Sequence, residues 1–598
     1  MQNAEMNAPL SAIHRRTSHA WLRFLVPVLV CCACGAVPLR AASGEAWPKA
    51  IQIEEGVPVK ITYDASFTQG PESGFLTVKI VITNGTTERL AWRASLVKDG
   101  NNYGRSRYGI RFGDDDGWRS FDFRSEVEAL EVPAGATREF NVALPVTSGG
   151  YGNLRIDGPH VQSAYAQLQR SDSLLADSRL ADPFFSGWDE LNKKRRMHVG
   201  DISHWSDFPE DWKAYAGFRL LILKSSSWAE RTGAQRSALV HYVATGGTLV
   251  FVGEGDEPTA LPAEFGVPAM IGSRLPGVVC GLGLVDCVAT ETAACVENAH
   301  DLAGRLGSVG SPPWLIPLPD WLVLKLPRAA LIVLLLVSAL LAGPGALFWL
   351  AKRQQRHRLF LVLPAIAAGT TLVLLALIFI NDGTGGEGRR TVLAALVDGR
   401  PEMAVYQQQS ARCGFLFRTD FTLPADAMAS MSVPQTMAGD FMVERTGGEC
   451  RGDWFRNRSV TAQTITHTIP TRAALELRPG GDGTGPTVVS TFPAPLRDLV
   501  LVLGPEQKVW RAAVVSPGAP TRLVADNGGA SLLSGELLHQ LNVPFHGALD
   551  HLVTGADLTG RFFAATDRLE GAPIPTLASI RWTDTILVTG RCSQGRQP

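Results

Sequence analysis

The sequence predicts a multidomain protein of α/β plus β class that carries a two-helix transmembrane hairpin. Two segments near the middle of the chain, 329–351 and 359–380, contain no charged residue. The chain around them is rich in short apolar runs bounded by glycine and proline, which is typical of strands and turns. At 598 residues the chain is also too long for one hydrophobic core, so several domains are expected.

The charge composition argues against a nucleic-acid partner. Lysine and arginine number 56, aspartate and glutamate number 57, and the formal net charge is -1. Such a chain has no strong overall field to attract a polyanion. Hydrophobic residues make up 45% of the sequence, which also argues against a disordered chain.

Residues 1–42 have the layout of a secretory signal peptide. Arg15 and Arg16 precede an apolar run at 24–37, and small residues follow it. A basic flank, a short apolar run and small residues are the three parts of such a signal. An uncleaved anchor and a lipoprotein cysteine at Cys34 are the alternatives. The chain after the signal is expected to be exported.

Residues 48–160 predict a β-sandwich. The stretch GFLTVKIVITNGT (74–86) alternates apolar and polar residues and ends in an Asn-Gly turn. The stretch LEVPAGATREFNVALPV (130–146) predicts two strands joined by a Pro-Ala-Gly turn. Repeated short strands with such turns favour an immunoglobulin-like sandwich.

Residues 161–300 predict an α/β domain. FRLLILK (218–224) and TLVFV (248–252) read as buried strands. Strand, helix and strand in this order predict a parallel pair. The residues that recur at helical spacing between the two strands are Ala234, Ala238, Leu239, Tyr242 and Val243.

The order of elements over 215–255 resembles the class I glutamine amidotransferase-like fold. The resemblance implies a flavodoxin-like domain, and in enzymes of this fold the turn after the second strand carries a nucleophilic cysteine. The equivalent residues form the elbow, which comprises Gly253, Glu254, Gly255 and Asp256. A carboxylate is a far weaker nucleophile toward acyl groups than a thiolate. We therefore expect the scaffold without the chemistry: no catalytic residue, and the elbow as a candidate binding position.

Residues 327–381 predict the transmembrane hairpin, reached through a proline-rich linker at 301–326. Each apolar segment is about 20 residues long, enough to span a bilayer core as a helix. The loop KRQQRHR (352–358) holds four basic residues and should face the cytoplasm. Both outer ends of the hairpin then lie on the exported side, in agreement with the signal peptide. We expect a flexible exit from the membrane at NDGTGGEGRR (381–390).

Residues 388–598 predict an exported β-rich domain. Its clearest strands are LVLVLG (499–504), TRLVA (521–525) and TILVTG (585–590), and a helical insertion is expected at 531–541.

No metal site or cofactor is predicted. His539, His546 and His551 are separated by seven and five residues, which matches neither a helical face nor a zinc motif. In an oxidising compartment some cysteines are expected to pair. The candidate pairs are Cys280 with Cys287 or Cys295, and Cys413 with Cys450.

The whole layout resembles bacterial envelope membrane proteins in which a β-sandwich and an amidotransferase-like domain precede a hairpin marked by Gly-Pro, here Gly343-Pro344. It favours a non-enzymatic protein of the bacterial inner membrane, with most of the chain in the periplasm. Its expected partners are the bilayer and membrane or envelope proteins, bound as a subunit of a membrane assembly, or envelope glycans. The alternative is an envelope hydrolase or amidase that uses Glu254, Asp256 and Glu257.

Overall fold

The described part of the chain is mostly β-sheet with few helices, and it belongs to one unit, Pro48–Pro598. The computed structural model describes residues 49–64, 69–70, 74–97, 123–146, 153–163, 165–167, 169–170, 174–177, 180, 199–201, 208–216, 218, 220–253, 261–266, 277–288, 328–354, 356–432, 441–446, 448–478, 485–504, 506–526 and 558–594.

Short strands fill the N-terminal part. They are β1 (Lys49–Ala50), β2 (Gln52–Ile53), β3 (Val59–Asp64), β4 (Gln69–Gly70), β5 (Gly74–Asn84), β6 (Leu90–Val97), β7 (Phe123–Val132), β8 (Thr137–Val146), β9 (Asn153–Asp157), β10 (Val161–Ser163), β11 (Tyr165–Gln167) and β12 (Gln169–Arg170).

The predicted strands at 74–86 and 130–146 are confirmed, and the second stretch crosses between two sheets. β8 pairs with β5 in the four-stranded sheet β1-β3-β5-β8, whereas β7 pairs with β6 in another sheet. Asn84 ties the two together, because its buried Nδ2 donates to the carbonyls of Val132 (3.1 Å) and Pro133 (3.2 Å). The asparagine of the predicted Asn-Gly turn therefore also holds the connection between β7 and β8 in place.

A mostly parallel sheet follows. Its elements are β13 (Leu174–Ala176), β14 (Val199–Asp201), β15 (Leu220–Lys224), α1 (Ser225–Ala229), α2 (Gly233–Ala244), β16 (Thr248–Val252), β17 (Val278–Cys280) and β18 (Gly283–Val288), with 3-10 turns at Trp212–Tyr215 and Ala263–Phe265. The strand order is β14-β13-β15-β16-β18-β17, and every neighbouring pair is parallel except β17 with β18.

The predicted strand-helix-strand unit is confirmed as β15, α2 and β16. Four of the five predicted helix positions are buried, but Ala234 is exposed. Gln235 is buried instead, because its Nε2 donates to the Phe208 carbonyl (2.9 Å). Its Oε1 also accepts from the Thr232 N–H and completes a capping box at the start of the helix.

Two apolar helices form the hairpin. Its elements are α3 (Arg328–Leu340), a π-helical turn (Leu341–Gly345), α4 (Ala346–Lys352), a 3-10 turn (Arg356–Arg358) and α5 (Leu359–Asp382). Segments Leu331–Lys352 and Leu359–Leu377 are long and apolar enough to cross a membrane, with mean hydropathies of 2.5 and 2.3. Only 6% and 0% of these segments is buried in the protein, unlike a core helix of a soluble domain.

The predicted Gly343-Pro344 mark lies inside the π-helical turn. Proline has no N–H to donate, and a wider turn absorbs the missing bond and the ring. The two helices contact each other, and the Ser338 and Thr370 hydroxyls lie 2.9 Å apart between them.

The C-terminal part builds the largest sheet. Its strands are β19 (Gly386–Leu396), β20 (Glu402–Cys413), β21 (Phe421–Thr422), β22 (Met428–Ser432), β23 (Phe441–Thr446), β24 (Glu449–Gly452), β25 (Val460–Pro470), β26 (Leu475–Arg478), β27 (Thr487–Ser490), β28 (Leu496–Leu503), β29 (Lys508–Val515), β30 (Thr521–Arg522), β31 (Val524–Asp526), β32 (Arg561–Thr566), β33 (Ile580–Arg591) and β34 (Ser593–Gln594). Nine of them form one sheet in the order β22-β25-β20-β19-β33-β32-β28-β29-β31.

The predicted strand at 585–590 lies within β33, and that at 499–504 lies within β28 except for Gly504, which begins the turn after it. The stretch at 521–525 is divided into β30 and β31 by the buried residue Leu523. The helical insertion expected at 531–541 and the signal peptide at 1–42 lie outside the described residues.

The expected flexible exit from the membrane is wrong. Helix α5 ends at Asp382, and β19 begins four positions later at Gly386. The turn between them is hydrogen-bonded to the Gly414-Phe415 backbone: Phe415 N donates to Gly383 O (3.0 Å) and Gly385 N donates to Phe415 O (2.9 Å). The glycines serve tight packing here, because a Cβ on Gly385 would lie 2.2 Å from the Ser579 carbonyl oxygen.

One sheet contains strands from both the N-terminal and the C-terminal part of the chain. β7 pairs in parallel with β23, with Phe123 opposite Phe441, so the seven-stranded sheet β11-β9-β6-β7-β23-β24-β21 contains strands from both ends. The predicted domain boundaries at 48–160, 161–300, 301–326, 327–381 and 388–598 stay predictions, but three of these ranges, 48–160, 161–300 and 388–598, contribute strands to this one sheet.

The cysteine pairs predicted for Cys280 with Cys287 and for Cys413 with Cys450 are wrong. All four of these cysteines are free, and so is Cys592. Cys280, Cys413 and Cys450 are buried in hydrophobic clusters, where a thiol packs as a small apolar group. Cys295 lies outside the described residues.

We predict that Gly247→Ala destabilises the protein by about 1–3 kcal/mol, the usual range for overpacking a core. A Cβ at Gly247 would lie 2.2 Å from the Tyr242 ring. That ring is fixed by its hydroxyl, which donates to the carbonyls of Phe218 (2.9 Å) and Thr248 (3.3 Å). Thermal unfolding in detergent measures the loss.

The matched control is Gly233→Ala at the first residue of α2, where no atom lies within 4 Å of the added Cβ. This control should be as stable as the unsubstituted protein or slightly more stable, since alanine favours a helix over glycine. Equal stability of the two variants would contradict the packing described for Tyr242.

Candidate functional site

The carboxyl edge of the six-stranded sheet is where a sheet of this strand order is expected to form a crevice. From β13 the chain passes to β14 on one side, and then to β15 on the other side of β13. Ligands of open α/β sheets bind at such a reversal, beyond the carboxyl ends of the strands. The described residues that follow these strand ends are Asp177 after β13, Ser225 to Ser227 after β15, and Gly253 after β16.

Asp177 and Ser227 close the gap between β13 and β15. Asp177 is 3% exposed and Ser227 is fully buried. The Ser227 hydroxyl donates to Asp177 Oδ2 in a short hydrogen bond, and the Lys224 N–H lies 3.4 Å from the same oxygen. Asp177 N donates in turn to the Ile222 carbonyl (2.8 Å). The carboxylate is therefore held by the Lys224 N–H at the end of β15 and the Ser227 hydroxyl on α1.

This pair is poorly arranged for nucleophilic catalysis. A serine nucleophile needs a base within hydrogen-bond reach, held by a third group. Of the described histidines, His241 lies on α2 with Nε2 2.7 Å from Glu402 Oε2 of the nine-stranded sheet. The Ser227 hydroxyl donates to a buried carboxylate instead. Asp177 and Ser227 thus stabilise the crevice at its base.

The predicted elbow is described only at Gly253. This residue is buried, and its N–H donates to the Val288 carbonyl (2.8 Å), so it extends the pairing of β16 with β18. Glu254, Gly255 and Asp256 lie outside the described residues. Binding at the elbow stays a prediction.

Sequence reasoning missed Asp177 and Ser227. β13 has only three residues, too few for a recognisable strand pattern. The available signals were an aspartate directly after the run LLA and three serines directly after FRLLILK.

A buried charge cluster fastens the six-stranded sheet to the nine-stranded sheet. Arg561, only 1% exposed, donates from Nη1 to the Val279 carbonyl (3.2 Å) and from Nη2 to the Gly281 carbonyl (2.6 Å). Asp398 lies in the same cluster, with Oδ2 3.2 Å from Arg591 Nε. Burial raises the pKa of Asp398, and the two arginines oppose that shift.

Burial also keeps the nearby thiols protonated. It raises the pKa of Cys280 to about 12 and that of Cys287 to about 12. A thiol becomes a nucleophile only as the thiolate, which is scarce at neutral pH when the pKa is this high. Both thiols are therefore poor nucleophiles at neutral pH.

Comparisons with known proteins leave the family open. No family model matches the chain, and no curated protein matches it. A Paenibacillus cycloisomaltooligosaccharide glucanotransferase complexed with cycloisomaltoheptaose aligns with 34% of this chain and 28% of its own, at 8% identity and a TM-score of 0.15. The yeast delta-COP-I mu-homology domain complexed with a Dsl1 WxWxV peptide aligns with 35% of this chain and 96% of its own, at 7% identity and a TM-score of 0.15. Similarity at this level carries no argument about function.

We predict very slow alkylation of the described cysteines at pH 8 in the folded protein. A rise of the Cys280 pKa from 9.0 to about 12 lowers its thiolate fraction about a thousandfold at this pH. For Cys450, at about 11, the factor is about a hundredfold.

Mass spectrometry of iodoacetamide-treated protein measures each site separately, and denatured protein supplies the reference rate. Modification should accelerate as the pH rises toward 11. Alkylation of Cys280 at the reference rate at pH 8 would contradict the burial described here.

Proposed function

We propose that this protein is a non-enzymatic, membrane-anchored envelope protein that serves as a scaffold subunit of a membrane assembly. In this proposal the hairpin lies in the bacterial inner membrane with the basic loop at 352–358 in the cytoplasm, and the sheets lie in the periplasm. The topology rests on the apolar helices, the basic loop and the predicted signal peptide. The partners are membrane or envelope proteins, or envelope glycans.

The observation that carries this proposal is the direct attachment of the largest sheet to helix α5. Only Gly383 to Gly385 separate Asp382 from β19, and backbone hydrogen bonds to Phe415 hold these residues in place. A surface fixed in this way has a set height and orientation above the membrane. Partners then bind with little loss of conformational entropy, which is the advantage of a preorganised scaffold.

The observed strand orders support the domain folds that we propose. Numbered within the six-stranded sheet, the parallel strands run 2-1-3-4-5, which is the flavodoxin-like order and supports an amidotransferase-like domain at 161–300. The two N-terminal sheets contact each other and both bury apolar residues, which supports an immunoglobulin-like sandwich at 48–160.

Three features favour binding over catalysis. The elbow sequence has no cysteine or serine, the Ser227 hydroxyl is engaged by Asp177, and burial raises the pKa of Cys280 and Cys287 to about 12. The crevice at the carboxyl edge remains a shaped surface for recognition.

We predict that the tagged full-length protein, isolated from native membranes in a gentle detergent, carries stable partner proteins. Arg561→Met should lose most of them, because it removes the hydrogen bonds to the Val279 and Gly281 carbonyls and so weakens the attachment of the six-stranded sheet to the nine-stranded sheet. Each buried carbonyl left without its donor costs about 1–3 kcal/mol. The variant should remain in the membrane fraction through its hairpin.

The matched control is Arg581→Met, which changes an arginine whose side chain is 84% exposed. It should retain the partners of the unsubstituted protein. Recovery of the unsubstituted protein alone, with no partner protein or glycan, would contradict the scaffold function. Full retention of partners by Arg561→Met would show that the contact of Arg561 with the six-stranded sheet is not needed for binding these partners.

A further inference from the structure

The turn at residues 414–418 (GFLFR) presents an aromatic residue to solvent beside the end of a membrane helix. Phe417 is 83% exposed. Among the described residues, the other exposed large hydrophobic side chains lie on the hairpin, apart from Val514 and Val524. Phe417 thus continues the apolar surface of the hairpin beyond the last residue of helix α5.

A row of three rings connects Phe417 to that helix. Phe379, three residues before the end of α5, lies 5.1 Å from the Phe415 ring. The Phe415 ring lies 5.2 Å from the Phe417 ring in an edge-to-face arrangement. The row runs from the end of the helix outward into the turn.

The backbone of this turn is fixed, so the exposure of Phe417 is built into the fold. Gly414 N donates to the Gly385 carbonyl (2.7 Å), and Leu416 is 4% exposed with its N–H bonded to Asn457 Oδ1. Arg458 N donates to the Gly414 carbonyl (2.9 Å). A turn braced on both sides holds Phe417 away from the protein.

Arginines adjoin the turn: Arg418 follows Phe417 directly and the Arg458 N–H donates to the Gly414 carbonyl, while the nearest acidic residue along the chain is Asp420. Arg418 and Arg458 are exposed, and Arg412 is partly exposed at the end of β20. Within the described part of the chain, Arg418 has no ion-pair partner. An apolar ring with guanidinium groups beside it matches the membrane interface, where acyl chains lie next to phosphate headgroups.

We propose that residues 414–418 are an interfacial membrane contact, with Phe417 inserted at the acyl boundary and Arg418 against lipid phosphate on the exported side. The contact rests on the proposed membrane anchoring, because it requires α5 to cross the bilayer. It adds a third point of support to the two spans and fixes the tilt of the nine-stranded sheet.

Depth-dependent quenching in full-length protein tests the contact. Phe417→Cys, Leu372→Cys and Val514→Cys are each labelled with the fluorophore NBD and reconstituted into phosphatidylcholine–phosphatidylglycerol vesicles. Quenchers sit near the headgroup or deep in the acyl region, and the signal of the unsubstituted protein is subtracted. Leu372 lies within span Leu359–Leu377 and is 67% exposed.

Val514 is the control for a site away from the membrane. Strand pairing across the sheet places Val514 level with Leu393 of β19. Leu393 lies seven residues beyond Gly386, the first residue of β19, which is about 23 Å along the strand at 3.3 Å per residue. Val514 is 51% exposed, so a label there is accessible without entering the core.

We expect the shallow quencher to act several-fold more strongly at position 417 than at 514, and the deep quencher to act most strongly at 372. Quenching at 372 with none at 417 would overturn the interfacial contact and leave the membrane anchoring intact. A blue-shifted label at 417 without quenching would also overturn it, since a protein surface would then cover the ring. Absence of quenching at all three positions would contradict the anchoring itself.

Discussion

Burial of β19 on both faces is the constraint on which the rest of the molecule depends. Val392, Ala394 and Leu396 point into the core of the C-terminal sheets. The alternate residues Leu393, Ala395 and Val397 point into the core that contains α2 and the six-stranded sheet. Because side chains alternate along a strand, one segment forms a wall of both cores. The same strand begins four positions after the apolar helix α5 ends.

This arrangement ties the six-stranded sheet, the N-terminal strands and the apolar hairpin to one sheet. The six-stranded sheet is held on β19 by apolar packing and on the first residue of β32 by the hydrogen bonds of Arg561 to the Val279 and Gly281 carbonyls. The N-terminal strands are held through β7 and β23. Packing of this kind resists independent movement of the sheets, which is what the proposed scaffold function requires.

The sequence predicted the elements whose pattern is local. β15, α2 and β16 carry clear apolar periods, and the two spans are long and uncharged. The pairing of β7 with β23 joins residues far apart in the chain, so no local pattern reports it. The glycines at 383, 385 and 386 predicted a flexible segment. Their actual role is close packing against Ser579 and Phe415, which are distant in the chain and therefore not visible in the local pattern. At the site, Asp177 was missed because β13 is too short for a periodic pattern.

Hydrogen exchange of the full-length protein in lipid nanodiscs tests the central claim, that β19 unites the sheets and the hairpin into one cooperative body. Amides of β16 and β19 should exchange through a common opening, with opening free energies that agree within about 1 kcal/mol. Exchange of β16 through a separate opening, several kcal/mol easier than that of β19, would contradict the account and show that the two sheets unfold independently.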